Sequence, residues 1–231
     1  MELHLDQELN QIKDQLLMMA GLVEANLSRA MRALTERDSS LCDTVESEDD
    51  QLDELEIQID DMCLKLLARR APVATDLRRI TVAMKASTDL ERIGDQAVNI
   101  ARLARELNKE PLLKPYIDIP RMASLAMGMI HDSLDALVRK DPVLARSVVP
   151  RDQEVDRINK QLYRELTSFM LEDPGTITRA IRLMFVSKFL ERVADHATNI
   201  AEDVVFLYEG KDIRHAAQQQ KNEAAGTATQ A

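Results

Sequence analysis

The chain has 231 residues, of which 45% are hydrophobic and 3% aromatic, with no Trp, six Gly and a formal net charge of −10. That charge argues against a nucleic-acid binder, which would show a basic face with interleaved aromatics, and suits a soluble cytosolic protein whose surface attracts divalent cations. No basic stretch leading into an apolar run opens the chain and no run of about 18 uncharged residues occurs, so an exported or membrane-spanning protein is not expected.

Apolar spacing predicts helices throughout. The first runs from about Glu8 to Arg37 on Leu16, Met19, Val23, Leu27, Ala30 and Leu34, and Asp38-Ser39-Ser40 offers N-cap residues for the next. The second runs from about Ser40 to Arg70, with Val45, Leu52, Leu55, Ile59, Met62 and Leu66 three and four apart. Ala71-Pro72 stops it. The third begins near Thr75 or Asp76 and reaches about Leu107. Three prolines at 111, 115 and 120 exclude one continuous helix and mark residues 110–120 as a linker. A fourth helix spans about Arg121 to Arg139, and Lys140-Asp141-Pro142 breaks the chain with Asp as N-cap and Pro as the first helical residue. A fifth then continues to about Leu171, Asp173-Pro174-Gly175 breaks it, and a sixth runs from about Thr176 to Tyr208. Residues 216–231 are polar and of low complexity, an expected disordered tail. Cys42 and Cys63, without CxxC or Cys/His company, read as reduced structural thiols.

Two segments a hundred residues apart nearly coincide: Leu90-Glu91-Arg92-Ile93-Gly94-Asp95-Gln96-Ala97-Val98-Asn99-Ile100-Ala101 and Leu190-Glu191-Arg192-Val193-Ala194-Asp195-His196-Ala197-Thr198-Asn199-Ile200-Ala201. Leu34, Asp38, Asp49, Leu52, Asp53 and Leu55 likewise match Leu137, Asp141, Asp152, Val155, Asp156 and Ile158, all 103 positions later. A three-helix unit has therefore been duplicated. The expected fold is all-α, two tandem antiparallel three-helix bundles, with repeats at 1–109 and 121–215. Replacement of Gly94 by Ala194 is expected to change little on an exposed helix.

Short connections make consecutive helices antiparallel, and that fixes which side chains meet. Residues 51 and 93 are equally far from Pro72 along the chain, so Asp49 and Asp53 should face Glu91 and Asp95, about 30 Å from the hairpin at 1.5 Å per residue. The fold at Asp173-Pro174 likewise brings Asp152 and Asp156 opposite Glu191 and Asp195. Each half thus predicts four converging carboxylates. Like charges so close raise one another's pKa or bind a cation, and an all-oxygen set selects Mg²⁺, Mn²⁺ or Ca²⁺, with iron also in range. The plainer alternative is a solvated helix face neutralised by Arg92, Arg192 and Lys188.

No Glu stands three residues before any of His4, His131, His196 or His215, which disfavours a di-iron oxidase. His131 reads as a structural helix residue rather than a phospho-acceptor, and His196 has Gln96 as its counterpart, so it is not a required ligand. Arg69, Arg70, Arg78 and Arg79 flank Pro72 in the one dense basic patch. They would grip a phosphate or acidic partner, or balance charge at a helix end.

The repeated Leu-Glu-Arg-x-x-Asp-x-Ala-x-Asn-Ile-Ala, Asp76-Leu77-Arg78 opening the third helix, the Asp49 and Asp152 motifs and the late Phe206-Leu207-Tyr208-Glu209-Gly210 together resemble the PhoU family over about residues 5 to 215. The resemblance implies two three-helix bundles whose acidic pairs carry metal clusters, here Asp49, Asp53, Glu91 and Asp95, and Asp152, Asp156, Glu191 and Asp195. Divalent or transition ions such as Mg, Mn, Fe or Zn are implied, their identity open. It also implies a non-enzymatic cytoplasmic adaptor, peripheral at the inner membrane through its partners. Those partners would be the nucleotide-binding subunit of a phosphate ABC transporter and a sensor histidine kinase, with phosphate sufficiency silencing the starvation response. A homodimer is expected from the seam between halves. The competing readings are a carboxylate-bridged metal-dependent hydrolase or oxidase and a plain helical scaffold.

Overall fold

Seven α-helices form in the computed structural model, which describes residues 2–69 and 72–214. They are α1 (Glu2–Thr35), α2 (Ser40–Arg69), α3 (Ala74–Leu107), α4 (Asp118–Arg139), α5 (Pro142–Val148), α6 (Asp152–Glu172) and α7 (Ile177–Glu209). The expected end of the second helix at Arg70 and the tail from 216 lie outside the described residues. α1 begins earlier than its strongest apolar stripe because Leu5 and Leu9 continue that stripe and pack on the core. α4 takes up the last three residues of the expected linker, since Pro120 falls in its first turn, where a missing N–H leaves no bond unmade.

The expected continuous helix from Pro142 to Leu171 is interrupted. Residues Val149–Arg151 form a 3₁₀ turn between α5 and α6. Pro150 donates no backbone bond and its ring crowds the preceding turn, so the α-ladder cannot run through it. α3 starts at Ala74 with Val73 before it and no side-chain cap, rather than at a capping Thr75 or Asp76, whereas the two Asp-Pro breaks act as read. Asp141 Oδ1 accepts from the backbone N–H of Val143 and Leu144, at 2.9 and 3.0 Å, capping α5 with Pro142 at its start. Asp173 accepts from Gly175 N at 2.8 Å before α7. Between α1 and α2 Arg37 takes a left-handed conformation, φ 59°, which costs roughly 1–2 kcal/mol. Its guanidinium compensates by donating to the carbonyls of Asn108 and Glu110 just beyond α3.

Each bundle packs three long helical stretches, α1–α2–α3 and α4–α5/α6–α7, and α3 also lies against α7. These two are the central pair, and their buried residues run around most of the circumference: Val82, Ala86, Ile93, Ala97 and Val98 on α3, Val186, Val193, Ala194, Ala197 and Val205 on α7. Helices buried on two sides need this wider apolar surface. Each fully buried Leu or Ile, such as Leu27, Ile59, Leu90 and Leu162, contributes about 1.5–3 kcal/mol. Cys42 and Cys63 are buried free thiols. Burial, assisted by Asp60, pushes the Cys63 thiol up to about 12, which makes it an inert packing residue.

Gly94 is buried rather than exposed, and a Cβ there would stand 2.5 Å from Leu52 Cδ1. The second repeat carries Ala194 at this position and the shorter Val155 where the first has Leu52. The two repeats therefore fill the same space with complementary pairs. Gly94→Ala alone is expected to lose about 1 kcal/mol net, overpacking of about 1–3 kcal/mol outweighing roughly 1 kcal/mol of helix propensity. Adding Leu52→Val should restore it. A double-mutant cycle in urea measures the coupling, and purely additive effects would show that the methyl group does not compete for this space.

Candidate functional site

In each half the expected carboxylates lie close enough to act on one another's charge. In the first half Glu91 is only 15% exposed through its side chain. Burial, then Asp95, with Glu56 and Asp53 adding to it against Arg92, pushes its carboxyl up to about 7. Asp49 on α2 is raised by burial and by Asp53 and Asp95. In the second half burial, then Asp195, Asp156, Glu191 and Glu202, push Asp152 up to about 6. The fold-back about Pro72 and Pro174 thus sets the two pairs against each other in both repeats.

Neutralisation comes mainly from each helix's own cations. Arg92 lies 3.0 Å from Asp95 and 3.3 Å from Glu91 Oε2, the latter outside hydrogen-bonding geometry. Lys160 lies 3.4 Å from Asp156, and Lys188 pairs with Glu191. Arg192, expected to help, instead sits over the Phe189 ring at 6.0 Å from its centroid. One carboxylate oxygen in each cluster, Glu91 Oε2 and Asp152 Oδ1, is buried without a hydrogen-bond partner. Buried acceptors of this kind are costly, and an oxygen-only donor set with an orphaned atom on each side fits a hard cation. Among the described residues, however, no three His, Cys, Asp or Glu side chains already stand in a metal-holding arrangement.

The basic patch divides. Arg69 is exposed at the end of α2, and Arg70 lies outside the described residues. Arg78 has a buried Nε without a partner, and Arg79 contacts Asp76 at 3.5 Å and Asp6 at 3.9 Å. His196 has a role its sequence position conceals: its Nδ1 lies 2.8 Å from Asp89 Oδ1, to which Asn199 also donates at 3.1 Å. Lys85 donates to Asp203 Oδ1 at 2.9 Å. These contacts join α3 to α7 and thereby the two halves. Glu56 and Glu202 were missed as members of the acidic clusters. Glu56 was detectable, lying three residues beyond Asp53 on the same helix face; Glu202 has Arg102 as its counterpart, so the repeat hides it.

The class defined by this architecture is that of all-α proteins made of two duplicated three-helix bundles bearing matched acidic faces. A family model described as the PhoU domain matches residues 16–104 and again 119–204. A Pseudomonas aeruginosa protein named phosphate-specific transport system accessory protein PhoU homolog is 43% identical, covering 90% of this chain and 86% of its own length. An Aquifex aeolicus protein of the same name is 40% identical over 94% of this chain and 98% of itself. The crystal structure of PhoU from Pseudomonas aeruginosa superposes with a TM-score of 0.87 at 42% identity, covering 89% of this chain and 99% of that one. That of the phosphate transport system regulatory protein PhoU from Streptococcus pneumoniae gives 0.84 at 27%, covering 90% and 98%. The chain belongs to the PhoU family.

Proposed function

We propose that this chain is the accessory protein of a phosphate-specific transport system and acts as a non-enzymatic negative regulator of phosphate uptake and of the phosphate-starvation response. It would bridge the nucleotide-binding subunit of a phosphate ABC transporter and a sensor histidine kinase. The observation that carries the reading is the match of both halves to relatives named as accessory proteins of such a system. The geometry supports an adaptor, because the acidic clusters sit on half-buried and exposed helix faces within reach of a partner surface. No helix among the described residues is long and apolar enough to cross a membrane, and the proposed place of action is the cytoplasmic side of the inner membrane, reached through the partners.

On this reading Asp49, Asp53, Glu91 and Asp95, and separately Asp152, Asp156, Glu191 and Asp195, would hold divalent cations. The all-oxygen donor set suits Mg²⁺, Mn²⁺ or Ca²⁺, with iron also in range. A bound cation would supply charge neutralisation and occupy Asp152 Oδ1 and Glu91 Oε2, neither of which accepts a hydrogen bond although Arg92 stands 3.3 Å from the latter. Crosslinking and co-purification from phosphate-replete and phosphate-starved cells should recover the transporter's nucleotide-binding subunit and the kinase. Failure to recover any transporter subunit, or metal-dependent turnover of a phosphate ester by the purified protein, would overturn the adaptor in favour of a carboxylate-bridged hydrolase.

The seam between halves is largely closed by α3 on α7, so a homodimer is better supported by Ile177, Ile181 and Phe185, exposed one turn apart on α7. Light scattering should then give twice the 26.1 kDa chain mass. A monomer mass at every concentration would exclude it.

A further inference from the structure

A cleft of about 510 Å³ opens where α1 and α3 of the first half meet the C-terminal ends of α4 and α7 of the second. Its floor is apolar, built from Leu9, Ile12, Leu16, Leu137 and Leu207. Lys13, Arg79 and Lys140 bring positive charge to it from three different helices or helix ends, against the single carboxylate of Asp6. That is a local excess of cations in a chain whose net charge is −10. No ion pair engages Lys13 or Lys140 among the described residues, and Arg79 makes only the long contacts of 3.5 and 3.9 Å to Asp76 and Asp6. Just beyond the cleft Arg78 Nη1 stands 3.6 Å from where a Cβ on Gly210 would lie, and its Nε is buried without a partner.

We infer that this cleft binds a small phosphorylated molecule with an apolar or aromatic body, a nucleotide being the representative chemistry. Uncommitted ammonium groups and a guanidinium suit a phosphate, and the cleft's size is that of small-molecule sites. A bare oxyanion would leave the leucine floor unused. The C-terminal ends of α4 and α7 present carbonyls to the cleft and oppose an anion. The effect is muted, because Asp141 N donates to Ala136 O, Tyr208 Oη to Leu137 O and Gly210 N to Phe206 O. The two helix ends carry about half a unit charge each and Asp6 one more, so the three cations still leave the cleft an excess of about one positive charge. Because both halves line the cleft, the ligand would also clamp them together, so binding must raise the unfolding temperature.

Calorimetric titration of the full chain with ADP, inorganic phosphate and adenosine tests this independently of the transporter reading. ADP is expected to bind and to raise the unfolding midpoint, with phosphate and adenosine each at least about tenfold weaker. Lys13→Ala, Arg79→Gln and the exposed Lys140→Ala should each weaken ADP about tenfold while leaving the unliganded midpoint in place, and higher salt should weaken it further. Absence of heat and of any midpoint shift at millimolar ADP would overturn the proposal. So would ADP binding that all three variants leave unchanged, or inorganic phosphate binding as tightly as ADP.

Discussion

Replacing Lys85 with alanine is expected to destabilise the folded chain by about 3 kcal/mol, a fall in unfolding midpoint of about 6–12 °C for a protein of this size. Asp203 is nearly buried, its side chain 7% exposed, and Lys85 is the cation bonded to it. Removing the lysine strands a carboxylate in the α3/α7 interface. Arg214 also lies near Asp203, but Asp212 holds its guanidinium through contacts of 2.9 and 2.5 Å, so it compensates only partly. Replacing both partners with apolar side chains, Lys85→Met with Asp203→Leu, should return stability to within about 1 kcal/mol of the parent, because no charge is then left unpaired. Urea unfolding of the three proteins decides the matter. A lysine variant within about 0.5 kcal/mol of the parent would mean that the interface is wet enough to solvate Asp203.

This interface shows what duplication does to a seam. At the positions equivalent to Lys85 and Asp89 on α3, α7 carries Phe185 and Phe189, whose rings stack at 6.2 Å between centroids. The polar set Lys85, Asp89, His196, Asn199 and Asp203 therefore occupies one side of the α3/α7 contact and has no copy on the other. Hydrogen-bonded polar contacts of this kind fix the register of two helices that an apolar alanine-rich face alone would leave free to slide. The two bundles are thereby held in a single relative position.

The helices and their order were legible because the apolar spacing, the prolines at 72, 142 and 174 and the Asp caps at 141 and 173 all act within a few residues of themselves. The heights of the acidic residues were legible for a related reason: an antiparallel hairpin turns distance from its bend into height, so Asp49 could be set against Asp95 and Asp53 against Glu91 without coordinates. What sequence could not show depends on contacts between helices. Gly94 looked exposed until α2 was placed on it with Leu52 filling the missing side chain's space. Pro150 lies inside the stretch expected to be one helix, and the backbone obeys the proline instead. Lys13, Arg79 and Lys140 are far apart in the chain and share no motif, and only the meeting of four helix segments gives them a common cleft. Arg192 follows the same Leu-Glu pair as Arg92, yet a phenylalanine three positions earlier draws it away from the carboxylates.

Glu91→Gln is expected to stabilise the chain at pH 8, by about 1–2 kcal/mol, and to make no difference near pH 4. Burial, then Asp95, holds the Glu91 carboxyl up at about 7 in the folded state, whereas in the unfolded chain it ionises at its ordinary value of 4.5. Between those values the folded state binds a proton that the unfolded state has released, so this residue's contribution to stability falls as pH rises through the window and is fully lost above about 7. The whole shift corresponds to about 3 kcal/mol at 1.36 per unit. Water reaching the cluster through the exposed Asp53 and the half-exposed Arg92 reduces it to the smaller figure. Asp152→Asn should behave alike in a lower window, closing near 6. Thermal unfolding at intervals from pH 4 to pH 8 measures both, at about 2–4 °C per kcal/mol. Millimolar Mn²⁺ supplies the complementary arm, since a cation held by the ionised cluster should raise the parent's midpoint at pH 8 and leave the Glu91→Gln protein largely unmoved. A glutamine variant less stable than its parent at pH 8 would show that pairing with Arg92 outweighs the repulsion from Asp95, Glu56 and Asp53. The acidic face would then be a set of ordinary ion pairs with no electrostatic deficit for a cation to fill.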